Sequence, residues 1–262
     1  MSVDNESLKP SPTVVADLTK FLEQDVTLMG EVFRKKRDNI SNSEIQKAQG
    51  ASYPNFIWNY QRQIRSLLEG DIPIKISVLN ETAVHFRRAL KFDGISNETR
   101  DYLNRGLQEI EERKSDSSLV AKTTKEALKS SIALEKTFTP GIYVYTLMHY
   151  KNHPYDPVTG RTLYKVGKSD RDVITRFREQ IRTTALPEEP VLFRIYEAKS
   201  GQTELGAIEK KFHALLEAAD HDRSTARTGG TEWFLTSLKF LDKIGETLNL
   251  TVTRNQEDDE IE

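Results

Sequence analysis

The stretch GIYVYTL, Gly141–Leu147, followed after a loop by LYKVGKSDRDVITRF, Leu163–Phe177, decides how the rest of the chain is read. The first segment alternates, with Ile142, Val144 and Thr146 on one face and Tyr143, Tyr145 and Leu147 on the other, which is the period of a β-strand. NHPYDPVTG, 152–160, is dense in turn formers, and Leu163 to Gly167 reads as the returning strand. Asp170 and Asp172 suit the start of a helix carrying Val173, Ile174, Phe177 and Ile181. Gly141 to Arg176 thus gathers two tyrosines, lysines, a glycine turn and arginines, a set suited to handling a phosphodiester.

Downstream, Pro190 to Ala198 predicts a third strand, VLFRIYEA. A helix follows from about Gln202 to Ala218, then the charged loop HDRSTARTGG, the segment TEWF, and a last helix from Ser237 to Leu248. The order is β-β-α-β-α-α. Upstream, residues 1–12 read as a loose leader. Val15, Leu18, Phe21, Leu22, Leu28, Met29, Val32 and Phe33 then recur at three- and four-residue steps, a helical stripe. Arg34, Lys35, Lys36 and Arg37 close it, either as cations at a helix C-terminus or as phosphate contacts. Ser43 and Ser52 are candidate caps of two helices separated by Gly50, the second running from about Pro54 to Glu69. Ile57, Ile64, Leu67 and Leu68 supply its core stripe, and Asn55, Asn59, Gln61, Arg62 and Arg65 offer donors elsewhere. This pair resembles the helix-turn-helix DNA-binding motif, although helix corners of this kind recur in all-α proteins. Residues 74–112 continue helical with a second start at Ser96, and the polar run 113–138 reads as a partly helical connector.

The chain of 262 residues has room for two small domains, and its 37% apolar and 30% charged content suits polar surfaces around buried cores. No apolar run approaches the ~18 residues of a membrane span, and MSVDNESLKP lacks a signal pattern, so a cytoplasmic location is expected. There is no cysteine. Any metal must therefore use carboxylate, imidazole or backbone oxygen, which favours a hard ion. The formal charge is −2, yet the last eight residues, NQEDDEIE, hold five of the carboxylates. Without them 38 basic residues face 35 acidic ones, a mildly basic body.

GIY, then KVG about twenty residues later, an arginine on the next helix, a glutamate on a later one, and a closing Glu232-Trp233-Phe234 resemble the GIY-YIG nuclease superfamily, in particular its phage-associated branch. The resemblance covers about Gly141 to Leu241. It implies a first tyrosine at Tyr143, an arginine at Arg176 and a metal-binding glutamate at Glu209. The second tyrosine of the family falls where Lys165 stands, a departure that some restriction-type members share. Tyr145, Lys168, His213 and Glu232 are supporting candidates, with Glu232 near the place of a family asparagine that has no secure match.

Hydrolysing a phosphodiester needs a deprotonated water, cations for the charge growing on phosphorus oxygens, and help for the departing oxygen. Tyr143 would accept the proton, Lys165 would stabilise the phenolate, Arg176 would clamp the phosphate, and Glu209 would hold one Mg²⁺ or Mn²⁺. At about 100° per residue, Leu205, Ile208, Phe212, Leu215 and Leu216 share an arc with Glu209 at its edge, whereas Glu204 and Glu217 point away. Arg176 and Arg178 flank their helix's apolar face on opposite sides, so the choice of Arg176 rests on the resemblance.

The expected fold is α/β (α+β): an all-α, helix-turn-helix-like DNA-binding domain at 14–112, a connector at 113–138, a nuclease-like domain at 139–250 with a three-stranded antiparallel sheet flanked by helices, and an acidic disordered tail at 251–262. The expected function is metal-dependent cleavage of double-stranded DNA, in restriction or phage defence if the resemblance extends that far. Lys35 and Lys36 join Asn55, Asn59, Arg62 and Arg65 as DNA contacts, and double-strand cleavage by one site per chain requires a homodimer or two sequential nicks. The rival is a DNA-binding regulator that keeps the scaffold without catalysis.

Overall fold

The structure, a computed structural model, describes residues 8–49, 56–134, 139–184, 186–198, 204–221 and 232–254. Its contacts divide the chain into two units, one up to Val120 and one from Ala121 onward. The first is all-helical. It contains α1 (Pro12–Gln24), α2 (Leu28–Arg37), α3 (Asn42–Ala48), α4 (Phe56–Glu69), α5 (Ile76–Leu90) and α6 (Asn97–Ser115). The predicted stripe from Val15 to Phe33 is two helices, because Asp25 turns the chain: its carboxylate accepts from Thr27 N and Thr27 Oγ1 and pairs with Arg88 at 2.6 Å. Ser41, rather than Ser43, caps α3, in a reciprocal box with Glu44. Ser96 caps α6 as its sequence suggests. Gly50, Ser52 and Pro54, read as the break and start of a helix, lie outside the described residues. Leu18, Leu22, Met29, Val32, Leu67, Leu79, Phe86 and Leu103 are wholly buried in one core.

The polar run 113–138 is more ordered than its composition suggests. Residues 113–115 end α6, and α7 spans Ser117–Leu134. Every third or fourth residue of α7 is small enough to pack: Thr123, Ala127, Ser131 and Leu134 are buried. The Ser131 hydroxyl accepts from the Leu192 backbone N–H at 3.0 Å.

The second unit continues with β1 (Gly141–Thr146), α8 (Met148–Asn152), β2 (Thr162–Ser169), α9 (Val173–Thr183), β3 (Val191–Glu197), α10 (Leu205–Ala218), β4 (Trp233–Thr236), α11 (Leu238–Thr247) and β5 (Thr251–Arg254). The sheet is antiparallel throughout, in the order β4-β2-β1-β3-β5. It therefore has five strands where three were expected. The additions are four-residue edge strands, too short for a period of two to stand out in sequence. One of them, Thr251–Arg254, falls in the segment read as disordered tail. It is rich in β-branched residues and pairs with β3.

Both sheet faces are covered, so every residue of β1 is buried. Ile142, Val144, Val166, Phe193 and Tyr196 pack with Phe212 and Leu216 of α10 and Leu241 and Ile244 of α11. Tyr143, Tyr145, Leu192 and Ile195 pack with Val173, Ile174 and Phe177 of α9. On the first face a polar link joins β3 to α11. The Arg194 side chain, 5% exposed, lies 3.0 Å from Asp242 Oδ1, and the Tyr196 hydroxyl donates to the same oxygen at 2.8 Å. Gly245 lets α11 approach this closely, since a Cβ there would lie 2.8 Å from the Tyr196 ring. α11 ends with Asn249 in the left-handed region, φ 58°, and Leu250 N donates back to Gly245 O at 2.9 Å, turning the chain into β5.

Removing Asp242 takes a carboxylate from the buried Arg194 guanidinium and an acceptor from the Tyr196 hydroxyl, a change that costs up to about 3–5 kcal/mol. Asp242→Ala should lower the denaturant midpoint accordingly, and Asp242→Asn, which keeps an acceptor for Tyr196, should lose less. Equal midpoints for wild type and Asp242→Ala would show that the link contributes nothing.

Candidate active site

Tyr143 and Tyr145 stand two residues apart on the central strand and point to the α9 face. Their rings are parallel to within 3°, with centroids 6.2 Å apart, and Tyr145 also meets the edges of Phe177 and Trp233. Buried tyrosine hydroxyls need partners. Both donate to one atom, Gln180 Oε1, at 2.9 Å from Tyr143 and 3.5 Å from Tyr145. Tyr143 pairs across the ladder with Gly167, where a Cβ would lie 2.8 Å from the Tyr143 hydroxyl. The glycine of KVG thus makes room for the phenol. Burial pushes the Tyr143 hydroxyl well above its ordinary pKa; the charges of Glu232 and Glu209 and the Tyr145 phenol add to this, and Arg176 opposes it. Tyr145 is raised in the same direction, by burial and Glu232.

Lys165 does not take the place expected for it beside Tyr143. It pairs in the ladder with Tyr145, two residues or about 7 Å further along the strand. Its ammonium sits 5.8 Å from the Tyr145 ring centroid and 3.2 Å from Glu232 Oε2. The cation acting on Tyr143 is Arg176, an exposed residue 3.5 Å from Glu179.

Glu209 and His213 lie on α10, on the opposite face of the sheet. Leu205, Phe212 and Leu216 form a narrower buried arc than expected, because Leu215 is 37% exposed. Glu209 falls only about 40° from the centre of that arc and is half-buried. Its carboxyl is held above the usual range by burial first, then by Glu232; Lys168 opposes and Asp170 adds. Lys168, opposite Ile142 in the ladder and so on the same face, bonds to Asp170. His213 directs Nε2 at the Val166 carbonyl, 3.2 Å away, and lays its ring against Phe234. A carbonyl only accepts, so this nitrogen donates and offers no lone pair to a metal.

The candidates therefore form two groups: Tyr143, Tyr145, Lys165, Arg176 and Gln180 on one face, and Glu209, Lys168, Asp170 and His213 on the other. Glu232, just before β4, links them. Its backbone carbonyl accepts from Val166 N at 2.9 Å, and its carboxylate acts on both tyrosines and on Glu209. No cluster of three or more His, Asp or Glu suited to a metal occurs among the described residues. Gln180 was missed in the sequence. Its signal was a polar residue one turn beyond Arg176, beside the apolar stripe of Phe177 and Ile181 and facing two tyrosines that need acceptors.

In the first unit the basic cluster works mainly within the fold. Arg34 donates to the carbonyls of Leu22, Glu23 and Asp25 at the end of α1, Arg37 pairs with Glu23, Lys35 with Glu31, and Lys36 donates to Ile40 O. Arg65 is half-exposed, 3.8 Å from Asp71. Asn59 and Arg62 are partly exposed on α4 near Trp58, which is 52% exposed. Asn55 lies outside the described residues. Residues 1–120 contain 17 basic and 18 acidic residues, a net −1; residues 121–254 contain 21 and 17, a net +4. The basic surplus belongs to residues 121–254, ahead of the acidic residues 257–260.

Glu232→Gln removes a negative charge that holds the Glu209 proton on. The Glu209 carboxyl should then titrate at lower pH in carbon-13 NMR of glutamate-labelled protein; an unchanged midpoint would mean that burial alone sets it. In a Gly167→Ala variant the new methyl should displace the Tyr143 hydroxyl from Gln180, shifting the Tyr143 ring resonances while distant ones stay in place.

Residues 142–249 match the family model described as the T5orf172 domain. This is a phage-associated domain related to nuclease-type domains. Neither the curated proteins nor the solved structures contain a match to the chain.

Proposed function

We propose that the chain is a metal-dependent DNA endonuclease of the GIY-YIG type, with its reaction centre between Tyr143 and Glu209. The single observation that carries this reading is the match of residues 142–249 to a nuclease-related family, within which Tyr143 on β1 donates to Gln180 of α9, one turn beyond Arg176. Arg176 is the phosphate clamp: its exposed guanidinium can exchange Glu179 for a phosphodiester with the same planar fork. Tyr143 handles the proton. At rest it is a phenol held by Gln180 whose proton is kept on by burial first and by Glu232 next, so it becomes a base only once substrate and cation have changed that environment. Lys165 holds Glu232 in place, and Gln180 fixes the orientation of both tyrosines.

The donor set fits a hard divalent cation. Glu209 is a half-buried carboxylate with Glu232 and Asp170 acting on it, and Mg²⁺ or Mn²⁺ needs only one or two carboxylates with water completing the shell. A cation held there would neutralise charges that keep the Tyr143 proton in place and would support the departing 3′ oxygen. The unit up to Val120 would contribute site choice through α3 and α4, and a homodimer would allow both strands to be cut.

Two observations favour the rival reading of a DNA-binding regulator without catalysis: both tyrosines are buried and donate to Gln180, and Lys165 stands at the second tyrosine position. Nicking of supercoiled plasmid in Mg²⁺ or Mn²⁺ separates the two. Wild type should nick, and Tyr143→Phe, Arg176→Ala and Glu209→Ala should each be slower by about a hundredfold or more. If the wild type never nicks, or Glu209→Ala nicks equally well, the enzymatic reading is wrong.

A further inference from the structure

α7 presents two faces. Its buried residues Thr123, Ala127, Ser131 and Leu134 share one arc. At about 100° per residue, Thr124, Leu128, Ala121, Ile132 and Lys125 follow around one flank, at about 60° to 160° from Ala127, with Lys129 next to them. These six residues line a groove of about 650 Å³. Its floor is apolar: Leu128 packs on the core that holds Ile142, Val144 and Phe193, and Ile132 is 56% exposed. Ala121, Leu128 and Ile132 recur at seven- and four-residue steps, a helical stripe in its own right. A flank that met only water would carry polar residues there.

The rim of the groove is cationic. Lys125 and Lys129 are exposed, and no carboxylate among the described residues pairs with either; Lys122, further round the helix, has Glu126 at 4.0 Å. An occupant that fits this groove offers both carboxylates and an apolar side chain.

Strand register brings a segment of that composition to the same place. β5 runs antiparallel to β3, from Thr251 opposite Glu197 to Arg254 opposite Arg194, so the chain leaves it heading toward Leu192. Ser131 of α7 takes the Leu192 N–H at 3.0 Å, and Val252 of β5 packs on the same core as Leu128. Residues 255–262, which follow β5, lie outside the described residues. They read NQEDDEIE, five carboxylates with a single apolar residue, Ile261. Eight residues reach up to about 26 Å at about 3.3 Å each. The groove from Ala121 to Ile132 is about 16 Å long at 1.5 Å per residue.

We propose that residues 255–262 dock along α7 of the same chain, with their carboxylates on Lys125 and Lys129 and Ile261 over the apolar floor beside Leu128. The sign of the charge, the lone apolar residue and the reach of the segment all match the groove. Weak contacts are enough, because a segment tethered at Arg254 meets the groove at an effective concentration of about millimolar order. A second copy of the chain offers the same chemistry, but strand register delivers only the segment of the same chain.

The chain has no cysteine, so Glu262→Cys provides one attachment site for a nitroxide on the full-length protein, with Ile and Leu methyl groups labelled for NMR. At about 50 mM KCl the nitroxide should broaden the Leu128 and Ile132 methyl resonances, and raising KCl to about 500 mM should reduce the effect. Lys125→Glu/Lys129→Glu should abolish the broadening and Ile261→Asp should weaken it several-fold, whereas Lys210→Glu/Lys211→Glu, on α10, should leave it unchanged. No broadening on α7 in the parent chain, or broadening that survives reversal of Lys125 and Lys129, overturns the proposal. Mixing nitroxide-bearing chain that lacks methyl labels with methyl-labelled chain that lacks the nitroxide reads contact between copies. Broadening in the mixture equal to that within one chain overturns docking in the same chain in favour of a second copy.

Discussion

Because Gly167 has no side chain, the hydroxyl end of Tyr143 can lie over the neighbouring strand, and the β1–β2 register that brings the two together governs the rest of the C-terminal unit. Pairing Tyr143 with Gly167 forces Tyr145 opposite Lys165 and Ile142 opposite Lys168. A slip of one residue would send both tyrosines to the α10 face and leave Gln180 without donors. A second register, that of β2 with β4, sets Lys165 beside Trp233 and so brings Glu232 to the end of β4, 3.2 Å from the Lys165 ammonium. Covering both sheet faces with helices then makes each of these polar groups expensive unless partnered. The tyrosine hydroxyls, Arg194 and His213 all have partners within the fold.

Much of this was legible in the sequence. Strong alternation gave β1, and capping and apolar spacing gave α9, α10 and α11 to within a few residues. The helical phase of Glu209 was also readable, though its burial is deeper than the wheel suggested because Leu215 does not join the core. What could not be read was whatever depends on pairing between distant segments. The four-residue strands β4 and β5 exist because β2 and β3 offer free edges, and nothing within WFLT or TVTR announces it. α7 looked like a linker because three of its four buried residues are Thr123, Ala127 and Ser131, which carry little hydropathy. Lys165 was assigned to the wrong tyrosine for a related reason: sequence proximity placed it on the adjacent strand, but only the register says which residue it faces.

The N-terminal unit shows how easily a charge cluster misleads. Arg34 to Arg37 look like a phosphate surface in the sequence, yet Arg34 closes the end of α1 and its neighbours pair with Glu23, Glu31 and the Ile40 carbonyl. Of the segments read as a helix-turn-helix, α3 and α4 are described, with Asn59, Arg62 and Trp58 at least partly exposed, and residues 1–120 carry no basic surplus. On the proposed function, electrostatic attraction to DNA would reside mainly in residues 121–254, and a contribution of the first unit would come from shape and base contact.

The Arg194–Asp242 link bears on how the second unit comes into being during synthesis. Arg194 sits on β3, next to the centre of the sheet, while its counter-charge arrives 48 residues later on α11, together with the glycine that lets that helix approach. Until α11 is available, the part of the sheet face that carries Arg194 lacks the helix that covers it, and the guanidinium stays solvated. Asp242 and Gly245 arrive on the same helix that buries Arg194, so the burial of the guanidinium and its pairing coincide.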